Sequence, residues 1–268
     1  MAKSPPIVVV FAASDPTAGA GLQADLLTLS ALACHGTTVV TALTVQDTQG
    51  VQRMQAIDAD WVVQQARALL ADLPPVAAFK LGVLASAANV AAVAGILAGH
   101  PHVPVVFDPV LASGRGEVLA NDDVLAAMRA MLLPRTTVLT PNSLEARRLA
   151  GDAQAAPLAQ GAQRLASLGA RYVLVTGTHE ATREVVNTLY DARGVVREDR
   201  WPRLAGSFHG SGCTLASAIA AQLARGLDVP DAVRAAQDYA WRTLEAAFRP
   251  GSGQSIPDRL YALRGFAP

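Results

Sequence analysis

The stretch GSFHGSGCTLASAIAAQL, residues 206–223, decides how the chain is to be read. Its first half is a turn rich in glycine, and its second half has the pattern of a helix. Leu215, Ile219 and Leu223 recur at i, i+4 and i+8, an apolar stripe that packs on a sheet. The sheet is legible upstream. Short β-rich runs occur at IVVVFA (7–12), TTVVTALTV (37–45), VAAFKL (76–81), VPVVF (103–107), TTVLT (136–140) and YVLVT (172–176). Between them lie helical patterns near 21–34, 58–73, 86–99, 121–133, 142–150 and 157–169. Strands that are apolar on both faces and alternate with helices predict a mostly parallel sheet covered on both sides. Residues 185–200 break this rhythm. Two alternating runs flank Asp191-Ala192-Arg193-Gly194, which predicts an antiparallel hairpin at a sheet edge. Two helices follow, near 212–225 and 230–248; Asp228 and Pro230 open the second and Pro250-Gly251 closes it. With no internal repeat and no linker, residues 1–268 are expected to form a single α/β domain.

Composition narrows the class of protein. The chain is 51% hydrophobic and 16% charged, a globular balance rather than a disordered one. Its 22 basic and 22 acidic side chains cancel, so no net field favours nucleic acid or an acidic membrane. No apolar run approaches the roughly 20 residues of a membrane span. The opening MAKSPPIVVVFAAS leads straight into a glycine-rich turn and reads as a first strand rather than a signal peptide. Two cysteines, Cys34 and Cys213, far apart in the chain, provide neither a disulfide framework nor a zinc site. The expectation is a cytoplasmic protein.

The predicted strand ends release Ser14-Asp15, Gln46-Asp47, Gly82, Asp108, Asn142 with Glu145, and Thr176-Gly177. In open parallel sheets ligands bind beyond those ends. Three clusters there carry chemistry. In HGSG (209–212) the first N–H groups of a helix lack partners, the helix dipole favours negative charge, and glycine lets a ligand approach the backbone; this is an anion hole. It lacks the spacing and the lysine of a Walker loop. Cys213 follows immediately, where a helix N-terminus lowers thiol pKa and suits a base or nucleophile, although most free cysteines are small buried apolar residues. The second cluster, SDPTAGAGLQADL (14–26), gives small residues against which a flat ligand can lie, with Asp25 and Gln46 placed to bond its polar edges. The third, TPNSLEA (140–146), sets Asn142 and Glu145 at i, i+3. That spacing fits a helix cap, and it equally fits a metal-organising pair completed by Asp108.

Taken together, SDPTAGAGLQADL, TALTVQDTQGV, FDPVLASGRG, LTPNSLEA and HGSGCTLASAIAA resemble the ribokinase-like superfamily over nearly the whole chain. Within it they are most similar to the hydroxymethylpyrimidine and phosphomethylpyrimidine kinases of thiamine biosynthesis. The resemblance implies a ribokinase-like α/β fold, ATP as co-substrate with Mg²⁺, a homodimer, and phosphorylation of 4-amino-5-hydroxymethyl-2-methylpyrimidine and then of its monophosphate. Cys213 would be the catalytic base over an oxyanion hole made by Gly210, Ser211 and Gly212. Gln46, Asp25, Val83, Val110, Ala13 and Gly21 would hold the pyrimidine. Asn142, Thr176, Gly177, Ser207 and His209 would hold ATP, and Asp108 and Glu145 the metal. The family's lysine after strand six is Thr176 here, and its A-K-S-G is shortened to Ala112-Ser113-Gly114. Arg115, in a glycine-flanked loop, is the candidate cation for the substrate phosphate.

Three other readings are open at this point, the first a kinase restricted to the pyrimidine monophosphate. A pyridoxal kinase also acts on a flat ring with a hydroxymethyl group. A non-catalytic pyrimidine sensor of the same fold would bind the ring and consume no ATP. An NAD-binding oxidoreductase is disfavoured, because no G-x-G-x-x-G opens the first crossover.

Overall fold

The computed structural model describes residues 4–73, 75–113, 116–152 and 156–266. Strands β1 (Ile7–Ser14), β2 (His35–Asp47), β3 (Gly50–Ala56), β4 (Ala78–Leu81), β5 (Val105–Phe107), β6 (Val138–Leu139), β7 (Tyr172–Val175), β8 (Glu184–Asp191) and β9 (Gly194–Pro202) form one sheet, in the order β3-β2-β1-β4-β5-β6-β7-β8-β9. From β2 to β7 the pairing is parallel, and the two outer pairings of β8 and β9 are antiparallel. The mostly parallel sheet and the edge hairpin predicted near 185–200 are both present. At the opposite edge β2 and β3 form a second antiparallel hairpin, which the sequence reading passed over. Asp47 closes its turn, accepting hydrogen bonds from the amides of Gln49 (2.7 Å) and Gly50 (3.2 Å).

Alternation along the strands explains the two-sided core. On β1, Val9 and Phe11 point into one apolar cluster and Val8, Val10 and Ala12 into the other; Phe79 and Ala78 divide β4 in the same way. The first cluster is completed by α2 (Ala59–Asp72), α3 (Ala87–Ala98), α4 (Asp122–Ala127), α5 (Ser143–Ala150) and α6 (Leu158–Ser167), the second by α1 (Gly21–Ala31), α7 (Ser211–Ala224) and α8 (Val229–Glu245). The stripe that opened the reading behaves as expected: Leu215 and Ile219 are buried on the sheet. Removing one of the fully buried rings, such as Phe107, would cost about 3–5 kcal/mol. The helix expected over 121–133 stays α-helical only to Ala127 and then passes through a π turn and a 3-10 turn containing Pro134. Proline cannot continue an α-helix, so the segment tightens there.

All parallel strands end on the same side. The loops 15–20, 82–86, 108–113, 140–142 and 176–183 therefore gather along one rim, joined by the 206–210 turn that leads into α7. The β2–β3 hairpin extends past β1, whose last pairing is Ser14 with Leu43. Residues 44–51 consequently stand over that rim.

Candidate active site

A cleft of about 990 Å³ opens along the rim. Of the residues expected to act there, Ala13, Gly21, Gln46, Val83, Val110, Asp108, Glu145, Asn142, Thr176, Ser207, His209, Gly210, Ser211, Gly212 and Cys213 all line it. Asp25 and Gly177 do not, and Arg115 lies outside the described residues.

The anion-hole turn is shaped by backbone contact. Gly210 caps α7 with φ +82, in the left-handed region, and a side chain there would run into the carbonyl of Gly19. Two glycine-bearing turns thus press against each other. The second turn is held by Asp15, whose carboxylate accepts from Thr17 N (2.8 Å), Ala20 N (2.7 Å) and the His209 ring nitrogen Nε2 (2.8 Å). Burial pushes the Asp15 pKa up, but the hydrogen bonds from His209, Thr17 and Ala20 outweigh it and hold the carboxyl below its usual value. His209 was expected to touch ATP; its Nε2 is committed to Asp15. Ser211, Gly212 and Cys213 N–H find no protein acceptor among the described residues and are available to an anion.

Cys213 departs from the sequence reading in one respect. The helix N-terminus was expected to lower its pKa, yet burial, with the charges of Asp25 and Asp108, pushes it up to about 12. Lys80 and a hydrogen bond from the Gly21 amide oppose the rise without reversing it. In the open cleft the thiol is protonated at neutral pH, with the Asp108 carboxylate close by. Desolvation and the two nearby carboxylates outweigh the helix dipole and Lys80 at the sulfur.

Behind the thiol lies an ion pair that the sequence did not disclose. Asp25 was expected to meet the pyrimidine. It is instead fully buried on α1, with Lys80 Nζ at 2.8 Å from Oδ1 and 2.9 Å from Oδ2, and with Ser217 Oγ donating at 2.7 Å. Burial disfavours charge on Lys80, but Asp25, Cys213 and Asp108 together hold its pKa above the ordinary lysine value. Lys80, the one lysine among the described residues, is therefore already paired.

Opposite the anion hole, Asp108 and Glu145 face one another electrostatically. Burial raises the Asp108 pKa to about 6, with Lys80 pulling it down, and burial plus the Asp108 charge raises Glu145 to about 8. Glu145 also completes a capping box: its Oε2 accepts from Asn142 N (2.9 Å) while Asn142 Oδ1 accepts from Glu145 N (2.9 Å). Both readings of the Asn142–Glu145 spacing are therefore realised at once. Asp108 Oδ2 is buried without a hydrogen-bond partner among the described residues. Two repelling carboxylates with an orphaned oxygen fit a hard cation. A hard cation held there would take water and substrate phosphates as its further ligands.

The remaining cleft residues set shape. Gln46 is oriented by donating from Nε2 to Thr44 Oγ1 (2.7 Å), which in turn donates to Ser14 O (2.8 Å). Its carboxamide oxygen stays available for a ring edge. Val51 and Met54, on the strand missed in the sequence, line the cleft beside it. Gly177 serves packing: its amide donates to Asn187 Oδ1 (3.0 Å), and a side chain would collide with the Val186 carbonyl. Arg203 ties down the 177–183 loop by donating to the carbonyls of Thr178 (2.8 Å), Glu180 (3.0 Å) and Thr182 (3.1 Å). Neither Lys80 nor Arg203 carries a motif that singles it out in sequence.

Comparison with known proteins agrees with this geometry. A hydroxymethylpyrimidine/phosphomethylpyrimidine kinase of Streptomyces coelicolor is 41% identical over 266 residues, covering 97% of this chain and 96% of that one. The Bacillus subtilis pyridoxal kinase, solved as an ADP complex, superposes with a TM-score of 0.86 at 27% identity, over 97% of this chain and all of the other. A phosphomethylpyrimidine kinase from Clostridium difficile superposes with a TM-score of 0.75 at 29% identity, over 90% of this chain and 99% of that one. The phosphomethylpyrimidine kinase family model matches residues 15–258. By that match and by its near-full-length relatives, the chain belongs to the phosphomethylpyrimidine kinase family.

Proposed function

We propose that the protein transfers the γ-phosphoryl group of ATP to 4-amino-5-hydroxymethyl-2-methylpyrimidine, and then to its monophosphate, within thiamine diphosphate synthesis. One observation carries the reading: unpartnered amides at the start of α7 and the Asp108–Glu145 pair converge on one cleft, with Cys213 between them. Gln46 bonds the ring edge while Val83, Val110 and Met54 supply apolar walls. The transferred phosphoryl oxygens accept from the Ser211 and Gly212 amides, which carry charge stabilisation in a loose transition state. Asp108 and Glu145 would hold Mg²⁺, which would supply positive charge for the triphosphate and offset the negative charge that Asp108 presents to the sulfur. With that charge offset and Lys80 beside it, Cys213 would release its own proton to solvent as the site fills, and the resulting thiolate receives the hydroxyl proton as the new O–P bond forms. Asn142, Thr176 and Ser207 line the ATP side, and Arg115 remains the proposed contact for the substrate phosphate. A homodimer and a cytoplasmic location are expected from the same family likeness; sedimentation measures the first.

The pyridoxal kinase reading has one observation behind it, the closer superposition on the Bacillus subtilis enzyme. Turnover of hydroxymethylpyrimidine and of pyridoxal, compared as kcat/KM on one preparation, separates the two. The proposal expects the pyrimidine to be preferred, and a preference for pyridoxal would replace it.

A further inference from the structure

The phosphoryl-transfer reading leaves one buried cation behind the cleft without a task among the described residues. Arg259 follows α8 in a tail that the bridges Phe208–Ser255 and Phe248–Ile256 lay alongside the 206–209 segment. It is only 3% exposed, and no carboxylate lies within salt-bridge distance of it among the described residues. Its guanidinium is spent on the two glycine turns. Nη2 donates to Gly19 O (2.5 Å) and Gly210 O (3.5 Å), Nη1 to Ala18 O (3.3 Å), and Nε to Thr214 Oγ1 (3.0 Å). Thr214 Oγ1 passes the contact on, donating to Gly210 O at 2.8 Å.

This arrangement has a consequence for the anion hole. In a planar trans peptide the carbonyl and the following N–H point in opposite directions. Drawing the Gly210 carbonyl towards Thr214 and Arg259 therefore turns the Ser211 N–H the other way, into the cleft that Ser211 lines. The same guanidinium brings a permanent positive charge behind the turn, in surroundings where a buried charge acts at low dielectric. A residue whose purpose was packing alone would not need to be a buried arginine facing three carbonyls. Burying an unpaired charge is costly unless something negative repays it. The transferred phosphoryl group is negative and would arrive at the cleft face of the same Gly210 turn.

We propose that Arg259 is a positioning residue for phosphoryl transfer: it braces the Ala18–Gly19 turn against the Gly210 turn and supports the anion hole with its charge. The inference rests on the kinase reading above. It is tested with Arg259→Met, which removes brace and charge, Arg259→Lys, which keeps the charge, and Thr214→Val, which removes the hydroxyl between Arg259 Nε and Gly210 O while the Thr214 amide keeps its bond to that carbonyl. Each variant is assayed with ATP, Mg²⁺ and the pyrimidine, with rates referred to folded protein. Calorimetry then measures how much aluminium fluoride tightens ADP binding in the presence of Mg²⁺.

For Arg259→Met, kcat should fall by about 10–100-fold, the scale of weakened oxyanion support, while the KM of the pyrimidine moves less than about 3-fold. Arg259→Lys should recover part of the loss, and Thr214→Val should show a smaller one. The tightening by aluminium fluoride should shrink in the same order. Wild-type kcat per folded molecule in the Met and Lys variants, with unchanged tightening, would overturn the proposal. If Arg259→Met fails to fold, the Lys and Thr214→Val variants decide by the same criteria. Should the wild-type protein turn over no pyrimidine, the kinase reading falls, and the calorimetric comparison, which needs no turnover, still decides the role of Arg259.

Discussion

Replacing Asp25 by asparagine separates two roles that its sequence context leaves confounded. The substitution keeps the size of the side chain and an oxygen for Ser217, but it removes the charge that faces Lys80 at 2.8 Å. Both partners are completely shielded from solvent, so the ammonium is left at the cleft wall facing only the more distant Asp108 among the described residues. Breaking a buried ion pair by removing one partner costs about 3–5 kcal/mol, because the other charge is left uncompensated. At about 2–4 °C per kcal/mol for a chain approaching this length, the melting temperature should fall by roughly 6–20 °C. Scanning calorimetry on wild type, Asp25→Asn, Lys80→Met and the double variant gives the coupling directly. The double variant should recover most of the loss, since a buried pair replaced by uncharged groups is often close to neutral. Once folded, Asp25→Asn should bind the pyrimidine with nearly unchanged KM. A melting temperature within about 2 °C of wild type, corresponding to less than about 1 kcal/mol, together with a large rise in KM would refute this reasoning. That outcome would return Asp25 to the substrate.

Two further outcomes follow from the same site. Cys213→Ala should lower kcat by about 10²–10⁴-fold, the usual worth of a general base, with little change in pyrimidine binding; near-normal turnover would leave the thiol a packing role. Glu145 and Asp108 titrate above the ordinary carboxyl range, at about 8 and about 6, so the folded chain holds protons that the unfolded chain gives up. Without metal, their contribution to stability is therefore largest at low pH and declines as pH rises from about 4 to about 8. Glu145→Gln should flatten that decline, and Mg²⁺ should raise the melting temperature more at the alkaline end. A Mg²⁺ titration of activity or stability that Glu145→Gln leaves unchanged would reduce Glu145 to its capping contacts.

What could be read in the sequence was what repeats or has a fixed local chemistry. Runs apolar on both faces announced a parallel sheet because each strand feeds two cores, as Val9 and Val10 do on β1. The glycine turn before α7 announced an anion site because the requirement at Gly210 is local. Strand β3 escaped because GVQRMQA buries little and owes its place to pairing with β2 and to the Asp47 turn. Asp25 was misplaced because a motif shows that a carboxylate is needed without showing which cation it meets 55 residues away. The thiol was misjudged because dipole and desolvation oppose each other at Cys213, and only the packed surroundings set which is larger. Arg259 was invisible for a related reason: its partners are backbone carbonyls, and any sequence supplies those.

The most direct test of the account is a product analysis. Purified protein is incubated with ATP and Mg²⁺ and, in separate reactions, with hydroxymethylpyrimidine or its monophosphate, and the products are followed by mass. Each pyrimidine should gain one phosphoryl group, HPO₃ in mass, for each ADP formed, and omitting Mg²⁺ should stop both reactions. Binding of the pyrimidine without any phosphorylated product from either reaction would contradict the account and leave a protein that recognises the ring without acting on it.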